Sequence, residues 1–450
     1  MNLTTAGPAG NQRQARLIVR RRAMAVALVL AAAVAAGCSS TTAHHATGPV
    51  RRAVSLPLVT SVAAGQTTWA VVPMGATSGP NRFWELFALP AHATRWRLAT
   101  PPDVATNGAI ALSVQGSQSL VAGIHPSLLL HFSPITSTAD GGRNWATGAP
   151  DPGLASVPDA LAITPDATRL IALDRSGGAD VATIRPTPGG HGITGPTRWT
   201  TLVSAKVLAA TLPGRTCKLT GLTAVAFASS AMPLLGGDCV QPGVAGIFAR
   251  VGATWRAAGP SPASLPAALR RQKIRVLRLV RTGTRITALL QFGTGSTASL
   301  VSARANEPTS AGRTSVASAT AGAAGAGGAA GAAGAAGASD DTWSLSPPLR
   351  LAGLTVTSSS FGKSGAAALT LARPGSSGQH AQYISGPGAL WHALPPLPTG
   401  HTLALALPAS GDVDVLAADG STLTVWQLRR GTRWVQIQST KVPIQYGSSS

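Results

Sequence analysis

Seven tryptophans recur along the chain at a spacing that marks a repeat architecture. Thr94-Arg95-Trp96 returns as Thr197-Arg198-Trp199 and as Thr432-Arg433-Trp434. A glycine stands three residues before the tryptophan in Gly142/Trp145, Gly252/Trp255, Gly388/Trp391 and Gly431/Trp434. Proline-bearing turns follow Trp96 (Pro101-Pro102), Trp343 (Pro347-Pro348) and Trp391 (Pro395-Pro396). From Trp96 through Trp145, Trp199, Trp255, Trp343, Trp391 and Trp434, the successive spacings are 49, 54, 56, 88, 48 and 43. The outlier contains an Ala/Gly/Ser/Thr run over residues 308–340, and removing it brings that spacing into line. A period near 50 with short strands is the sequence sign of a β-propeller, in which each repeat buries its apolar faces only against its neighbours.

The repeats parse into four strand candidates each. In the first these are Leu58–Ala63, Thr68–Pro73, Phe83–Leu89 and Arg95–Ala99; in the fourth Leu222–Ser229, Pro233–Cys239, Val244–Val251 and Thr254–Ala258. In the seventh they are Thr402–Ala406, Val413–Ala418, Thr422–Leu428 and Arg433–Gln438, with the favoured hairpin dipeptide Asp419-Gly420 between two of them. The inner strands read as short Ala/Leu/Val runs that are ambiguous with buried helix when taken alone. The repeat and the flanking turn residues decide for strand. The expected fold is all-β: a seven-bladed β-propeller of four-stranded antiparallel blades over residues 57–440, followed by a tail at 441–450. The 308–340 run falls between the third and fourth strands of blade five. Its glycines oppose helix and it has nothing with which to bury a core, so disorder is expected there.

The N-terminus reads as an export signal. Arg13, Arg16, Arg20, Arg21 and Arg22 precede an apolar run from Ala23 to Ala36. Its fourteen residues fall short of the roughly 20 needed to span a bilayer and suit the apolar region of a signal peptide. The run closes on Ala35-Ala36-Gly37-Cys38, which resembles the lipobox of bacterial lipoproteins, with Ala35 in place of the usual Leu. That resemblance implies cleavage after residue 37, lipidation of Cys38 and anchoring at the outer face of the cytoplasmic membrane. Cleavage at Ala33-Val34-Ala35 is the alternative, and it leaves export standing. Residues 38–56 read as a flexible tether.

Lys and Arg number 36 against 15 Asp and Glu, a formal charge of +21 that falls to +16 once the five signal arginines are removed. A basic protein at a membrane face is drawn to anionic lipid or wall polymer. Export argues against nucleic acid as the partner. Without Cys38 the cysteines are Cys217 and Cys239, a disulfide candidate in an exported chain. In the parse they lie at neighbouring ends of one hairpin of blade four. No metal-spaced ligand cluster, phosphate loop or cofactor motif occurs, so no cofactor is expected.

One segment carries a specific resemblance. Thr138, Asp140, Gly142 and Trp145 match the Asp-box pattern Ser/Thr-x-Asp-x-Gly-x-x-Trp. This resembles the sialidase-like propellers with bacterial-neuraminidase repeats, where the box occupies the turn between the third and fourth strands of a blade. It implies fold rather than activity, because in that family it sits away from the catalytic face. The resemblance also implies what a sialidase would need: an arginine cluster, a tyrosine–glutamate pair and an acid/base aspartate. The chain has Tyr383 and Tyr446, and Glu85 and Glu307, but the parse pairs no tyrosine with a glutamate. Asp151 and Asp159 lie in the loop between blades two and three, where they could face the mouth or simply serve a turn. The densest charge feature is Arg270, Arg271, Lys273, Arg275 and Arg278, entering blade five along its innermost strand. Arginines there could line the channel and hold an anion, or be solvated edge residues. The reading that follows is a monomeric, lipid-anchored propeller without catalytic activity, acting as a binding or assembly module for a protein or glycan partner. A sialidase-like glycoside hydrolase and a charge-driven binder of anionic wall polymer or lipid are the alternatives.

Overall fold

The computed structural model describes residues 58–441, apart from 76–81, 103–108, 117–118, 126–131, 149–152, 158, 187–192, 195–197, 307–342, 375–380, 387, 420–421 and 430–431. Cys38, the tether, the 308–340 run, Asp151, Glu307 and Tyr446 lie outside the described residues.

The fold is all-β, and its pairings are overwhelmingly antiparallel. Among the described residues they form six sheets, of eight, four, two, nine, four and four strands, within which the chain runs as successive antiparallel meanders, numbered in chain order. The first runs Leu58–Ala64, Thr67–Gly75, Arg82–Leu89 and Arg97–Leu98; the second Ala109–Gln115, Ser119–His125, Ile135–Thr138 and Ala146–Thr147. The third runs Leu161–Ile163, Arg169–Leu173, Gly178–Thr183 and Trp199–Ser204; the fourth Leu219–Ser229, Met232–Cys239, Gly246–Val251 and Thr254–Ala257. The fifth is Ile274–Thr282, Arg285–Phe292 and Ser299–Asn306, edged by Ser344–Leu345 and Leu349–Arg350. The sixth is Thr355–Phe361, Ala367–Ala372, Ala381–Ser385 and Trp391–Ala393; the seventh His401–Ala406, Val413–Asp419, Thr422–Arg429 and Arg433–Lys441. No sheet closes on itself. Two contacts are parallel: the first strand Leu58–Ala64 pairs with the first strand Thr355–Phe361, and Asp159, just before Leu161–Ile163, bridges to Ala224.

What holds the meanders together is apolar packing between their faces. One cluster joins Val62, Trp69 and Leu86 of the first meander to Leu112, Leu120 and Ile124 of the second. A larger one runs from the second through the third to the fourth. Others join fourth to fifth, fifth to sixth and sixth to seventh. A last cluster packs Ala404, Leu416 and Val425 of the seventh against Ala70, Val72 and Trp96 of the first. Burying side chains on both faces of a meander is the main stabilising term available to short strands of this kind, at about 25 cal/mol per Å² of apolar surface.

The tryptophan period has a physical cause. Each marker tryptophan stands at the start of the fourth strand of its meander, and Trp96, Trp145, Trp343 and Trp434 each make a ring contact or a hydrogen bond with another meander. The Trp145 ring stands edge-on to Trp69, with centroids 6.4 Å apart. Trp343 Nε1 donates to Ala258 O at 3.0 Å, and Trp434 Nε1 donates to Pro395 O at 2.9 Å. Trp199 and Trp255 pack on the cluster running from second to fourth meander, and Trp391 on the one joining fifth and sixth. Trp96 turns from the first meander to the seventh, donating from Nε1 to Asp414 Oδ2 at 2.9 Å. Gln438 completes that joint: the Trp96 N–H donates to its Oε1, and its Nε2 donates to Trp96 O. First and seventh meanders are each contiguous chain, so side chains rather than a shared strand fasten them.

One departure from the strand pattern lies before the fourth meander. Two short helices, Ala205–Ala210 and Leu212–Cys217, follow Ser204 directly. The Ser204 and Thr211 hydroxyls accept the N–H groups of Val207 and Gly214, which would otherwise be orphaned at the helix starts. Lys218, at φ 54°, ends the second helix in the left-handed region. Cys217 and Cys239 form a disulfide with Cα atoms 5.0 Å apart, tying this excursion to the end of the fourth meander's second strand.

Candidate functional site

The five cations expected to gather at the fifth meander do not form one site. Arg270 closes a short helix, Ala267–Arg270, and its guanidinium folds back on Leu265 O and Ala263 O at 2.8 and 3.0 Å. Arg271 and Lys273 are exposed. Arg275 Nε meets Asp238 Oδ2 at 3.2 Å across the single pair that joins fourth and fifth meanders. Burial raises the Asp238 carboxyl despite that arginine.

Arg278 is the correction with the clearest cause. It is 1% exposed. Its Nε and Nη2 meet Asp159 Oδ1 at 3.1 and 2.9 Å, its Nη1 donates to Ser359 O at 3.0 Å, and its guanidinium lies 5.1 Å from the centre of the Phe361 ring. The second carboxylate oxygen of Asp159 accepts the Leu279 N–H at 2.8 Å. A buried guanidinium needs a carboxylate and hydrogen-bonded donors to offset its desolvation, and here all three of its nitrogens are bonded. Arg278 is therefore committed to Asp159 and Ser359, and Asp159 is not a free acid at a mouth. The cavity beside them is about 60 Å3 and lined mainly by apolar residues such as Val62, Leu112, Leu161 and Phe227.

The Asp-box residues build a closed turn between the third and fourth strands of the second meander. The Thr138 hydroxyl donates to Asp140 Oδ1 at 2.8 Å and accepts the Gly142 N–H at 2.9 Å. Asp140 Oδ1 also accepts the N–H groups of Arg143 and Asn144, and Oδ2 accepts from the Asn144 amide at 2.7 Å. Burial alone would raise this carboxyl. The bonds from Asn144, Thr138 and Arg143 outweigh it and hold the group at about 2. Gly142, at φ 83°, sits where a Cβ would lie 3.0 Å from the Ala99 Cβ and 3.1 Å from the Trp69 ring. The turn is thus a docking device onto the first meander, reinforced by the Arg97 Nη2 bond to Gly141 O.

The residues that a hydrolase would need are scattered. Glu85, on the first meander, bonds the Thr100 hydroxyl, and burial raises its carboxyl. Tyr383 lies on the third strand of the sixth meander. Among the described residues no three His, Cys, Asp or Glu side chains group as a metal site would require, and no helix is long and apolar enough to cross a membrane.

A second concavity lies elsewhere, between the third and fourth meanders. It is an open groove of about 680 Å3 that carries Arg169, Arg198 and Arg250 and no acidic residue. Its remaining walls include Thr183, Thr200, Leu202 and Pro233. Arg169 opens the second strand of the third meander, Arg198 immediately precedes its fourth, and Arg250 ends the third strand of the fourth meander. Among the described residues neither Arg169 nor Arg198 has a side-chain partner, and Arg250 Nε reaches only Gly252 O, at 3.2 Å. Sequence reading missed this group because its members are far apart in the chain. The one available signal was Arg198 within the recurring Thr-Arg-Trp.

No family model and no curated protein matches the chain. Solved structures of similar shape include a prolyl endopeptidase, at 11% identity and TM-score 0.45, covering 86% of this chain and 50% of that one. This chain therefore spans about half the length of that protein. The β-propeller domain of the Trilobed protease from Pyrococcus furiosus aligns at 8% identity and TM-score 0.43, covering 88% and 98% of the two chains. The periplasmic gluconolactonase of Pseudomonas aeruginosa aligns at 11% identity and TM-score 0.43, covering 83% and 96%. Most of the similar structures carry the names of enzymes, an acylaminoacyl peptidase of Pyrococcus horikoshii among them. The expectation of a chain without catalytic activity is withdrawn on that finding.

Proposed function

We propose that the chain is an exported, seven-bladed β-propeller of Asp-box type, lipid-anchored through Cys38, that serves as a binding module at an anionic envelope surface. The order of apolar clusters, each meander on the next and the seventh on the first, supports the propeller reading. The closed turn built by Thr138, Asp140 and Gly142 supports the Asp-box reading. The observation that carries the function is the charge: the mature chain keeps a formal +16 after its signal arginines are removed. At a membrane face such a surplus attracts anionic polymer or lipid over about 8–10 Å at physiological salt.

Two measurements test this. Intact mass of the membrane-extracted protein should give a chain beginning at Cys38 with acyl mass added; an unmodified start elsewhere removes the anchor. Co-sedimentation with phosphatidylglycerol vesicles should fall steeply as salt rises. Retention equal on phosphatidylcholine vesicles, or indifferent to salt, would sink the charge-driven reading.

A further inference from the structure

The groove between the third and fourth meanders differs from the general surface charge. It collects three guanidinium groups around one concavity of about 680 Å3, within the range of about 300–1,000 Å3 typical of small-ligand sites. Three arginines line it without a carboxylate, whereas Arg275 and Arg278 are each given an aspartate. Each guanidinium offers a planar fork of donors suited to phosphate or carboxylate oxygens. Around them stand the Thr183 and Thr200 side chains and an apolar wall that includes Leu202 and Pro233. Arg169 pairs with Thr183 and Arg250 with Trp255, while Arg198 directly precedes Trp199, which pairs with Ala182, so the sheet scaffold holds two of the three and adjoins the third.

We propose that this groove is a discrete site for a small ligand bearing two or more oxyanion groups, held by Arg169, Arg198 and Arg250. The proposal builds on the binding-module reading, yet it predicts saturable one-to-one binding of a soluble anion, which surface attraction to an envelope does not. The groove lies where the third strands of the third and fourth meanders finish, with Thr183 and Arg250 in its lining.

The test is isothermal titration calorimetry of the full mature chain with inorganic tripolyphosphate and with citrate, at physiological ionic strength. One-to-one saturable binding is expected. Arg198→Ala and Arg250→Ala should each weaken it about tenfold, and Arg169→Ala should act in the same direction, as the loss of a charge-assisted contact requires. The double variant Arg271→Ala/Lys273→Ala removes comparable exposed charge outside the groove and should change affinity less than about twofold. The arginines are solvent-facing, so unchanged thermal unfolding of each variant shows that folding is intact; Arg198→Lys serves as a second probe, keeping charge while losing the fork. Preference for tripolyphosphate over citrate assigns a phosphate ligand, and the reverse a carboxylate ligand. A parallel loss of binding to cardiolipin vesicles, whose headgroup carries two phosphates, by the groove variants assigns the phosphate to a lipid headgroup, and retention of vesicle binding assigns it to a soluble ligand. Absence of saturable heat with both anions at low-millimolar concentration overturns the proposal. So do equal losses in the groove variants and the Arg271/Lys273 control. Either result leaves the salt-dependent vesicle test of the broader function untouched.

Discussion

Asp159 and Asp414 are both buried carboxylates that fasten one meander to another, yet only one of them meets a cation. Asp159, just before the third meander, takes the Arg278 guanidinium of the fifth, which also bonds Ser359 of the sixth. Asp414, on the seventh, takes only neutral donors: the indole N–H of Trp96 at 2.9 Å and the amide of Gln427 at 3.4 Å. Burial pushes the Asp414 carboxyl up to about 6; the hydrogen bonds pull the other way, and nearby Asp412 adds to the rise. The joint inside the chain is thus locked by an ion pair that needs both partners. The joint where the two ends of the fold meet uses a carboxyl whose charge the surroundings oppose. The molecule therefore has one joint built on an ion pair and one built on a carboxyl that titrates at about 6.

The largest effect comes from breaking the ion-paired joint. Arg278→Ala leaves the Asp159 carboxylate buried without its cation, and a loss of about 3–5 kcal/mol in unfolding free energy is expected from denaturant titration. Arg278→Met combined with Asp159→Leu should recover most of that loss, because a well-packed apolar pair of similar volume replaces two desolvated charges. A single variant that costs under about 1 kcal/mol would mean that the pair is solvated and the comparison misdrawn.

The covalent tie in the same half comes next. Replacing Cys217 and Cys239 by Ala opens a loop of sequence separation 22. Loop-closure entropy puts the cost at about 3 kcal/mol. The helical excursion Ala205–Cys217 should be the first segment to gain hydrogen exchange, while the pH dependence of unfolding stays as in the parent. A change in that dependence would show that the two halves are coupled.

Acid tests the other joint. The Asp414 carboxyl lies at about 6 in the folded chain, against its ordinary 3.8. Between those values the folded chain holds a proton that the unfolded chain has released. Stability from this group is therefore full below about pH 4, and it declines as pH rises through about 6, by about 3 kcal/mol in total. Asp414→Asn keeps an acceptor for Trp96 and removes the titration. Unfolding measured from pH 4 to 7 should show this downward component in the parent and lose it in the variant. A parent without it would place water or a cation at Asp414.

The fold was largely legible in the sequence, and these joints were not. For the seventh meander, strands expected at Thr402–Ala406, Val413–Ala418, Thr422–Leu428 and Arg433–Gln438 appear at His401–Ala406, Val413–Asp419, Thr422–Arg429 and Arg433–Lys441. The tryptophan period was readable because each marker residue stands at the start of a fourth strand, so the repeat of the strands writes itself into spacing. The disulfide was readable because hairpin pairing brings Cys217 and Cys239 together. The helices at Ala205–Cys217 break the period and left no mark except the helix-starting Ser204 and Thr211. Arg278 and Asp159 stand 119 residues apart, and nothing local distinguishes Arg278 from exposed Arg271. The groove arginines share that difficulty, since they meet only through the register of two meanders.

The smallest effect concerns Asp140, a third aspartate that sharpens the contrast. Unlike Asp159 and Asp414 it stays near water, and it spends its oxygens on the N–H groups of its own turn. Its carboxyl lies at about 2, below the ordinary 3.8, so its contribution is present above pH 4 and is lost only as pH falls through about 2. Asp140→Ala should cost about 1 kcal/mol, the scale of a few exposed hydrogen bonds lost from a turn. The cost should be the same at pH 5 and pH 7, which separates it from the Asp414 component. Asp140→Asn should retain part of it, because one amide oxygen can still accept the Arg143 and Asn144 N–H groups. Disorder should spread from this turn to the contact of Gly142 and Trp145 with Trp69, read as faster exchange at Arg143 and Asn144. If Asp140→Ala instead destabilises as much as Arg278→Ala does, the turn is holding the first and second meanders together rather than merely finishing a hairpin, and the joint between them belongs with the ion-paired one.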